Sequence, residues 1–405
     1  MRGTHIPAGF TGRLIAHYLA SHKDRDSFVL SLAARSKTRL DAVVSELGSQ
    51  RAVRLHVVDV TRPEQIDAAV AGKSVVINTV GPFWTWSTPV VKSCVRNGVH
   101  YVDLTGETHW IKQIITSFHY SASKTGAIIV PSCGFDSVPA DILSYLSARG
   151  ISGGTIATMV SMLEEVHPND LASVRIPYPL SPFVGDTPAP APRLLYRLPI
   201  PESGKTLVGS YFFMTQPNRA IVERSWGLFK SSPGSSSMQY GNNFKYDEMI
   251  VSSKGVTGAI LITLGTILGL GCMMITPLRW LLLKVLPKAG DGPSQSVRDN
   301  GWVKVTNITT AVSPSSTSSQ PSVVKSVLTG KGDPGYSFTS VLIGEAALTI
   351  ALSPESLPSL ARSGGVFTPA TALGDVYIER LRNSGRATLE SKLVTARAPE
   401  TRKTA

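Results

Sequence analysis

The stretch Ser74-Val-Val-Ile-Asn-Thr-Val-Gly-Pro82 decides the fold, because a short apolar run ends there at polar residues and a Gly-Pro pair. Its length and β-branched content predict a buried strand. Similar runs lie around it and alternate with segments of helical spacing. The predicted strands are residues 28–34, 52–58, 74–80, 100–104 and 127–131, and the predicted helices begin near residues 14, 38, 63, 88 and 109. This order predicts right-handed βαβ units, and so an α/β fold whose parallel sheet is covered on both faces.

Length and composition limit the possible classes. The chain has 405 residues, of which 42% are hydrophobic and 17% charged, so it is neither disordered nor a coiled coil. The length predicts about two domains. The three cysteines, Cys94, Cys133 and Cys272, have neither C-x-x-C spacing nor a histidine pair beside them. We therefore predict no disulfide framework, no metal site and a reducing compartment.

The net charge of +12 favours anionic partners: nucleic acid, an acidic membrane surface or a phosphate-bearing ligand. A solvated basic surface is an equally good interpretation. The basic residues are scattered and lack interleaved aromatic residues, so we predict no nucleic-acid partner.

The alternation stops after the first third of the chain, which predicts a second unit of different architecture. Residues 177–201 are rich in proline and predict a loop or an extended crossover. The stretches 302–310 and 322–328 predict the two strands of a hairpin. Helical spacing returns at 338–352 and 369–381.

Residues 256–278 contain no charged side chain, and Lys254 and Arg279 flank them. About 20 apolar residues are enough to cross a bilayer core of ~30 Å. The many glycines and threonines and the proline at position 277 argue against a span. The segment therefore either inserts into a membrane or lipid surface, or is a buried or interface helix of the second domain.

The turn Ala8-Gly-Phe-Thr-Gly12 precedes the first predicted helix. Glycines in such a turn let backbone N–H groups approach a pyrophosphate, and the helix N-terminus adds positive potential. A G-x-x-G loop alone is a weak signal, but this one opens a βαβ series, where a dinucleotide fingerprint belongs. We predict that the pyrophosphate is held by Gly9, Phe10, Thr11 and Gly12.

The next predicted strand ends at Arg35, Ser36 and Lys37. Sites for NAD place an acidic residue here, whereas a basic cluster suits the 2′-phosphate of NADP. A surface turn before a helix is the alternative interpretation. Asp59, at the end of the following strand, would lie near the adenine.

The central strand ends in a tight turn formed by Asn78, Val80, Gly81 and Pro82. Such a turn allows a nicotinamide or ribose to approach closely, unless the Gly-Pro pair simply ends the strand.

Carboxylates follow two further strands, at Asp103, Glu107 and Asp136. They would be general acids or substrate ligands, or else helix caps and structural hydrogen-bond partners.

Taken in order, these motifs resemble those of the saccharopine dehydrogenase-like oxidoreductases, and most closely the branch that contains the trans-acting enoyl reductases. The matching segments are 9–12, 33–36, 76–82, 100–107, 133–141, 290–294, 332–336, 345–348 and 365–370. The resemblance implies a Rossmann-like doubly wound sheet, a second α+β domain and C-terminal helices that pack back on the first. It also implies nicotinamide-dependent reduction and, from the animal relatives, a lipid-droplet or membrane association.

We accordingly divide the chain into four parts. They are an NAD(P)-binding Rossmann-like domain at 1–140, an α+β domain at 141–337 that includes the apolar segment, C-terminal helices at 338–390 and a polar tail at 391–405.

The sequence departs from the family pattern at its start. The family has G-A-T-G-F-T-G after a complete first strand, whereas this chain has Ile6, Pro7 and Ala8 in the first three places. Only Met1 to His5 precede them, so we expect the first strand of the sheet to be missing, either because residues belong upstream or because the strand is lost.

The leading functional hypothesis is an NADP-dependent oxidoreductase, a trans-acting enoyl reductase acting on a hydrophobic or carrier-bound polyketide or acyl chain. No Tyr-x-x-x-Lys pair stands at the expected place, so the catalytic residues stay unassigned. The alternative is a non-catalytic membrane or lipid-surface protein that keeps the family fold. Saccharopine cleavage is a third, weaker hypothesis. It needs basic residues to hold a dicarboxylic amino acid, and the second domain shows no basic cluster beyond Arg219 and Arg224. We expect the cytoplasmic face of a membrane or lipid droplet, or the cytosol, and leave the oligomeric state open.

Overall fold

A computed structural model describes residues 3–7, 9–48, 52–148, 176–185, 190–232, 240–241, 244–285, 293–311 and 322–394. Its largest element is a seven-stranded parallel sheet in the order β12-β6-β5-β4-β1-β2-β3. The strands are β1 (Gly3–Pro7), β2 (Val29–Ala34), β3 (Arg54–Val57), β4 (Val75–Asn78), β5 (His100–Asp103), β6 (Ile128–Val130) and β12 (Gly365–Val366). The first six follow the doubly wound order, so the chain reverses direction across the sheet between β1 and β4.

The prediction that the first strand is missing is wrong. Residues Gly3–Pro7 form β1, which pairs in parallel with β2 along its whole length and with β4 through Thr4 and His5. A strand in the centre of a sheet is held by backbone hydrogen bonds on both edges, so five residues without an apolar run are enough. Pro7 stands last in the strand, a position at which its missing N–H group is tolerated.

The helices that connect these strands cover both faces of the sheet, as predicted. They are α1 (Phe10–Ala20), α2 (Lys37–Leu47), α3 (Pro63–Val70), α4 (Phe83–Trp86), α5 (Thr88–Arg96), α6 (Thr108–Thr125) and α7 (Val138–Ser147). The first helix starts at Phe10 rather than near residue 14, because the glycine turn itself forms its first turn. One face of the sheet packs with Ile15 and Leu30, and the other with Val76 and Tyr101.

The second unit contains two three-stranded antiparallel sheets. Their strands are β7 (Tyr196–Pro199), β8 (Thr206–Tyr211) and β9 (Met249–Val251), and β10 (Trp302–Ala311), β11 (Ser322–Lys331) and β13 (Ala387–Val394). The predicted hairpin is therefore β10 and β11, which pair from Trp302 with Lys331 to Ala311 with Ser322. The predicted polar tail begins inside β13, and its residues after 394 lie outside the described residues. The domain boundaries themselves stay a prediction.

The remaining helices are α8 (Thr215–Ser231), α9 (Gly255–Met274), α10 (Thr276–Val285), α11 (Gln295–Asn300), α12 (Thr339–Leu352), α13 (Ser359–Arg362) and α14 (Pro369–Asn383). Helix α12 packs against α1, β4 and β5, while α14 packs against α7 and β6. The C-terminal helices thus return to the first unit and complete its core, as the resemblance implies.

Within the part of the chain that the structure describes, two helical segments are long and apolar enough to cross a membrane. One is α12 with the π-helical turn before it (Pro334–Phe338), and it is mostly buried in the protein. The other is α9, in which only Gly258, Ala259 and Thr263 are buried. The apolar segment is therefore a helix with most of its surface uncovered.

Candidate dinucleotide-binding site

A cavity of about 710 Å³ lies at the carboxyl edge of the large sheet, where β1 and β4 separate. Parallel sheets bind dinucleotides at this kind of position. The sequence-predicted residues among its walls are Gly9, Arg35, Ser36, Asp59, Asn78, Val80 and Gly81. The fold thus brings together side chains that the sequence separates by up to 72 positions, counted from Gly9 to Gly81.

The N-terminus of α1 opens into this cavity at Gly9. No side chain caps the helix, and its first turn contains no acidic residue. A Cβ atom at Gly9 would meet no atom within 4 Å among the described residues. Free N–H groups and open space at a helix N-terminus suit an anion, so the residues present fit the pyrophosphate of a dinucleotide.

Basic residues form the end of the cavity beside β2. Arg35 and Arg39 both line it, on either side of Ser36. The hydroxyl of Ser36 accepts a hydrogen bond of 3.3 Å from the backbone amide of Arg39 and so caps α2. The two guanidinium groups suit the 2′-phosphate of NADP.

The remaining predicted cofactor residues lie away from the cavity walls. The ammonium group of Lys37 pairs with Asp41 at 2.8 Å. The ring of Phe10 contacts Tyr336, with 5.1 Å between ring centroids. The others outside the lining are Thr11, Gly12 and Pro82.

Asp59 lines the cavity and belongs to a local turn. Its Oδ1 atom accepts hydrogen bonds from the backbone amide and the hydroxyl of Thr61, at 2.9 and 2.8 Å. These bonds lower the pKa of Asp59, so its carboxylate is ionised at neutral pH.

A chain of buried polar groups crosses the sheet edge from β4 to β6. The amide of Asn78 donates to Ser87 at 2.7 Å and to the Tyr101 hydroxyl at 3.0 Å. Tyr101 donates to Asp103 at 2.9 Å, and the Oδ1 atom of Asp103 accepts from the backbone amide of Ser132 at 3.0 Å. Asp103 is thus the structural partner that the sequence analysis left as an alternative.

Glu107 also binds backbone amide groups. Its carboxylate accepts hydrogen bonds from the amides of Phe83 and Trp84, at 2.9 and 2.7 Å. These amides follow Gly81 and Pro82, whose peptide bond is cis. These hydrogen bonds therefore connect the turn that lines the cavity to the loop after β5.

Asp136 differs from these two carboxylates. It follows β6, its Oδ1 atom is buried, and among the described residues that atom has no hydrogen-bond partner. Burial raises its pKa to about 7.

Sequence reasoning missed several lining residues. Arg39 closes the basic stretch that begins at Arg35, but the predicted site ends at Lys37 and leaves it out. Thr61 and Trp86 line the cavity without a sequence signal, since only the fold brings them to it.

A second cavity, of about 310 Å³, lies between α8 and the proline-rich stretch. Its polar walls include Tyr196, Tyr211, Arg219, Glu223 and Asp247. The guanidinium of Arg219 pairs with Asp247 at 3.3 Å, and burial raises the pKa of Glu223 to about 7. Helix α8 links this cavity to the sheet edge, because Ser137 donates to Asn218 at 3.1 Å.

The sheet order and the phosphate-accepting turn at its switch point define a dinucleotide-binding protein. Comparison with known proteins agrees. The saccharopine dehydrogenase NADP-binding domain matches residues 6–130. A Mycobacterium tuberculosis protein named as a trans-acting enoyl reductase is 33% identical over an alignment 424 positions long, which covers 96% of each chain. A trans-acting enoyl reductase of Mycobacterium ulcerans is 32% identical, over 93% of this chain and 94% of its own.

Among solved structures, the apo form of saccharopine dehydrogenase (L-Glu forming) from Saccharomyces cerevisiae aligns with 98% of this chain and 100% of its own, at 14% identity and a TM-score of 0.48. The sequence relatives show the family: the chain belongs to the saccharopine dehydrogenase-like oxidoreductases, in the branch of the trans-acting enoyl reductases. It is an oxidoreductase, and NADP is its cofactor.

Proposed function

We propose that the protein reduces the activated double bond of an enoyl chain carried as a thioester on a carrier, such as a polyketide intermediate. The observation that carries this proposal is the end-to-end match to relatives named for that activity. The cavity supports it, because its walls fit NADP along the switch point of the sheet. Bound NADPH would supply the hydride.

The protein's own residues would position the cofactor and keep water away from it. Gly9 leaves room for the pyrophosphate, and Arg35 and Arg39 bind the 2′-phosphate. Asn78 and Glu107 fix the loop after β4 through hydrogen bonds to Val80 and to the two amides that follow Pro82. A fixed loop can hold the nicotinamide ribose in one position.

The second cavity supports a site for the substrate. It combines prolines and tyrosines with Arg219 and lies at the end of α8 that contacts the loop after β6. Apolar walls with a few polar groups are typical of sites for small ligands.

The test is NADPH oxidation in the presence of enoyl thioesters on coenzyme A and on a carrier protein. Gly9→Val should fold normally and abolish NADPH binding, because the new side chain fills open space that the pyrophosphate needs. Gly265→Val is the matched control, since this glycine also has open space around it and lies on α9, away from the cavity. Saturable NADPH binding without turnover of any enoyl thioester would overturn the proposal.

We also propose that α9 and α10 attach the protein to the cytoplasmic face of a membrane or lipid droplet. Leu268 of α9 and Trp280 of α10 are 69% and 67% exposed. Contiguous apolar surface of this kind marks an interaction site. Lys254 is the N-cap residue of α9, Arg279 lies in α10, and both cations suit anionic headgroups.

A further inference from the structure

Three aspartates at the carboxyl edge of the sheet share one property but differ in their partners. Burial raises the pKa of Asp103, Asp136 and Asp141 to about 7 in each case. The three pKa values thus share the direction and the main cause of their shift, while the hydrogen bonds of the three carboxyl groups differ.

Two of the three aspartates accept several hydrogen bonds from other residues of the protein. Asp103 accepts bonds from Thr105, Ser132 and Tyr101. Asp141 is fully buried and accepts bonds from the Ser225 hydroxyl and, at 2.7 Å, from the backbone amide of Ala370.

Asp136 receives no such bond from the described residues, although its Oδ1 atom is buried. Asp136 as a whole residue is nevertheless partly exposed, unlike the fully buried Asp103 and Asp141. Buried polar groups without partners are rare in proteins, and each one needs a physical explanation.

The backbone around Asp136 is held firmly. The amide of Phe135 donates to Thr339 at 3.1 Å, and the hydroxyl of Ser137 donates to Asn218 at 3.1 Å. The loop is also joined to β5, because the amide of Cys133 donates to the carbonyl of Asp103 at 2.7 Å. The unpaired carboxyl group therefore stands on a rigid support.

The position of Asp136 suits the reacting end of the cofactor. In doubly wound sheets the two halves of the dinucleotide lie on either side of the switch point. The cavity residues Arg35 and Asp59 mark the adenosine half over β2 and β3. The nicotinamide half then extends over β4, β5 and β6. Asp136 lies in the loop after β6, the strand that stands about two strand spacings, ~10 Å, from β4.

We propose that Asp136 is the proton donor of the enoyl reduction, an assignment that rests on the proposed function. The β-carbon of the enoyl thioester receives a hydride, and the π electrons of the double bond form a C–H bond at the α-carbon with the proton of Asp136. The O–H electron pair stays on the carboxylate, which solvent then reprotonates. The net reaction consumes one NADPH and one proton per double bond.

The protonation state agrees with this role. A carboxylic acid must hold its proton near neutral pH to act as a general acid. Burial raises the pKa of Asp136.

The activity test compares Asp136→Asn with the wild type. The variant should bind NADPH with unchanged affinity and keep its KM, while kcat falls about 10²–10⁴-fold. In deuterated solvent the wild type should place deuterium on one face of the α-carbon. Residual turnover by Asp136→Asn should give a mixture of both faces, which a merely structural role of Asp136 would not produce.

A second readout needs neither cofactor nor substrate. The pKa of Asp136 in the folded protein, about 7, exceeds the ordinary aspartate value of 3.8, so ionisation opposes folding. The wild type therefore loses stability as the pH rises from about 4 to about 7. Asp136→Asn lacks this loss and should have the higher Tm at neutral pH, with the difference vanishing at about pH 4. Asp103→Asn is the control and should lower the Tm, since its amide group faces the Tyr101 hydroxyl, which donates to the native carboxylate.

The outcomes separate the two proposals. An active Asp136→Asn enzyme, or one whose Tm does not rise relative to the wild type at neutral pH, overturns the assignment of Asp136 alone. A wild type that binds NADPH but reduces no enoyl thioester overturns the proposed function, and the assignment with it.

Discussion

The Oε2 atom of Glu107 accepts a hydrogen bond of 2.7 Å from the backbone amide of Trp84. This bond joins the loop after β5 to the loop after β4, and so fixes the wall of the cofactor cavity from outside it. Burial raises the pKa of Glu107, while the amide bonds from Phe83 and Trp84 lower it. Through these two hydrogen bonds the Glu107 carboxylate holds the turn at Gly81 and Pro82 in place.

Replacing Glu107 with alanine should weaken both the fold and cofactor binding. The change leaves two backbone amides without their acceptor, and such losses cost about 1–3 kcal/mol each. We expect a lower free energy of unfolding in urea and a higher Kd for NADPH. Glu64→Ala, at an exposed position on α3, is the control and should change neither. An unchanged Kd in Glu107→Ala would show that this loop does not touch the cofactor.

Arg35 and Arg39 should set the preference for NADPH over NADH. Each guanidinium can form a charge-assisted bond to the 2′-phosphate, worth about 1.5–3 kcal/mol, so Arg35→Ala and Arg39→Ala should each raise the Kd for NADPH about 10–150-fold. The Kd for NADH should stay nearly constant, because NADH has no phosphate there. Fluorescence titration with both cofactors measures the effect.

Lys37→Ala is the matched comparison for these two variants. The sequence predicts Lys37 in the phosphate site, whereas the structure pairs its ammonium group with Asp41 and leaves it outside the cavity lining. We expect a change in the NADPH Kd of less than about threefold, because exposed ion pairs contribute little. A loss of NADPH affinity as large as that of Arg35→Ala would show that Lys37 binds the 2′-phosphate after all.

The alternation of strands and helices could be predicted because each element carries its own pattern. Pro63–Val70 opens with a proline and buries one stripe, and the hairpin of β10 and β11 alternates along its length. Residues Gly3–Pro7 carry no such pattern, since β1 is specified by the strands on its two sides. The central strand β1 is therefore an element that the sequence did not predict.

The candidate site likewise combines residues that carry a local sequence signal with residues whose role depends on distant partners. The glycines at 9 and 81 and the basic residue Arg35 are local signals, and the fold brings them to one cavity. The partners of Asp103 come from Thr105, Tyr101 and Ser132, up to 29 positions away, so the sequence could not decide between a catalytic and a structural role.

The cluster around Glu345 should be essential for joining the C-terminal helices to α1. Its buried carboxylate accepts bonds from Tyr18 at 2.6 Å and from Arg380 at 2.9 Å, and lies 2.8 Å from His22. Glu345→Gln removes the charge that Arg380 faces, and breaking a buried pair in this way costs about 3 kcal/mol. We expect that loss in urea unfolding, with none for Glu379→Gln, whose side chain is exposed on the same helix as Arg380. Equal stability of the two variants would contradict the role assigned to Glu345.

The exposed face of α9 should bind lipid, and a single charge on it should be enough to weaken binding. Leu268 is 69% exposed, and transferring its side chain into a lipid surface contributes about 1.5–3 kcal/mol, which Leu268→Glu removes while adding repulsion from anionic headgroups. Leu393→Glu makes the same change at a residue that is 72% exposed on β13, so it controls for the loss of one exposed leucine. Sedimentation with vesicles of phosphatidylcholine and phosphatidylserine should pull down the wild type and Leu393→Glu, and Leu268→Glu about tenfold less. If all three proteins stay in the supernatant, α9 does not attach the chain to lipid, and its apolar face is covered by something other than a membrane.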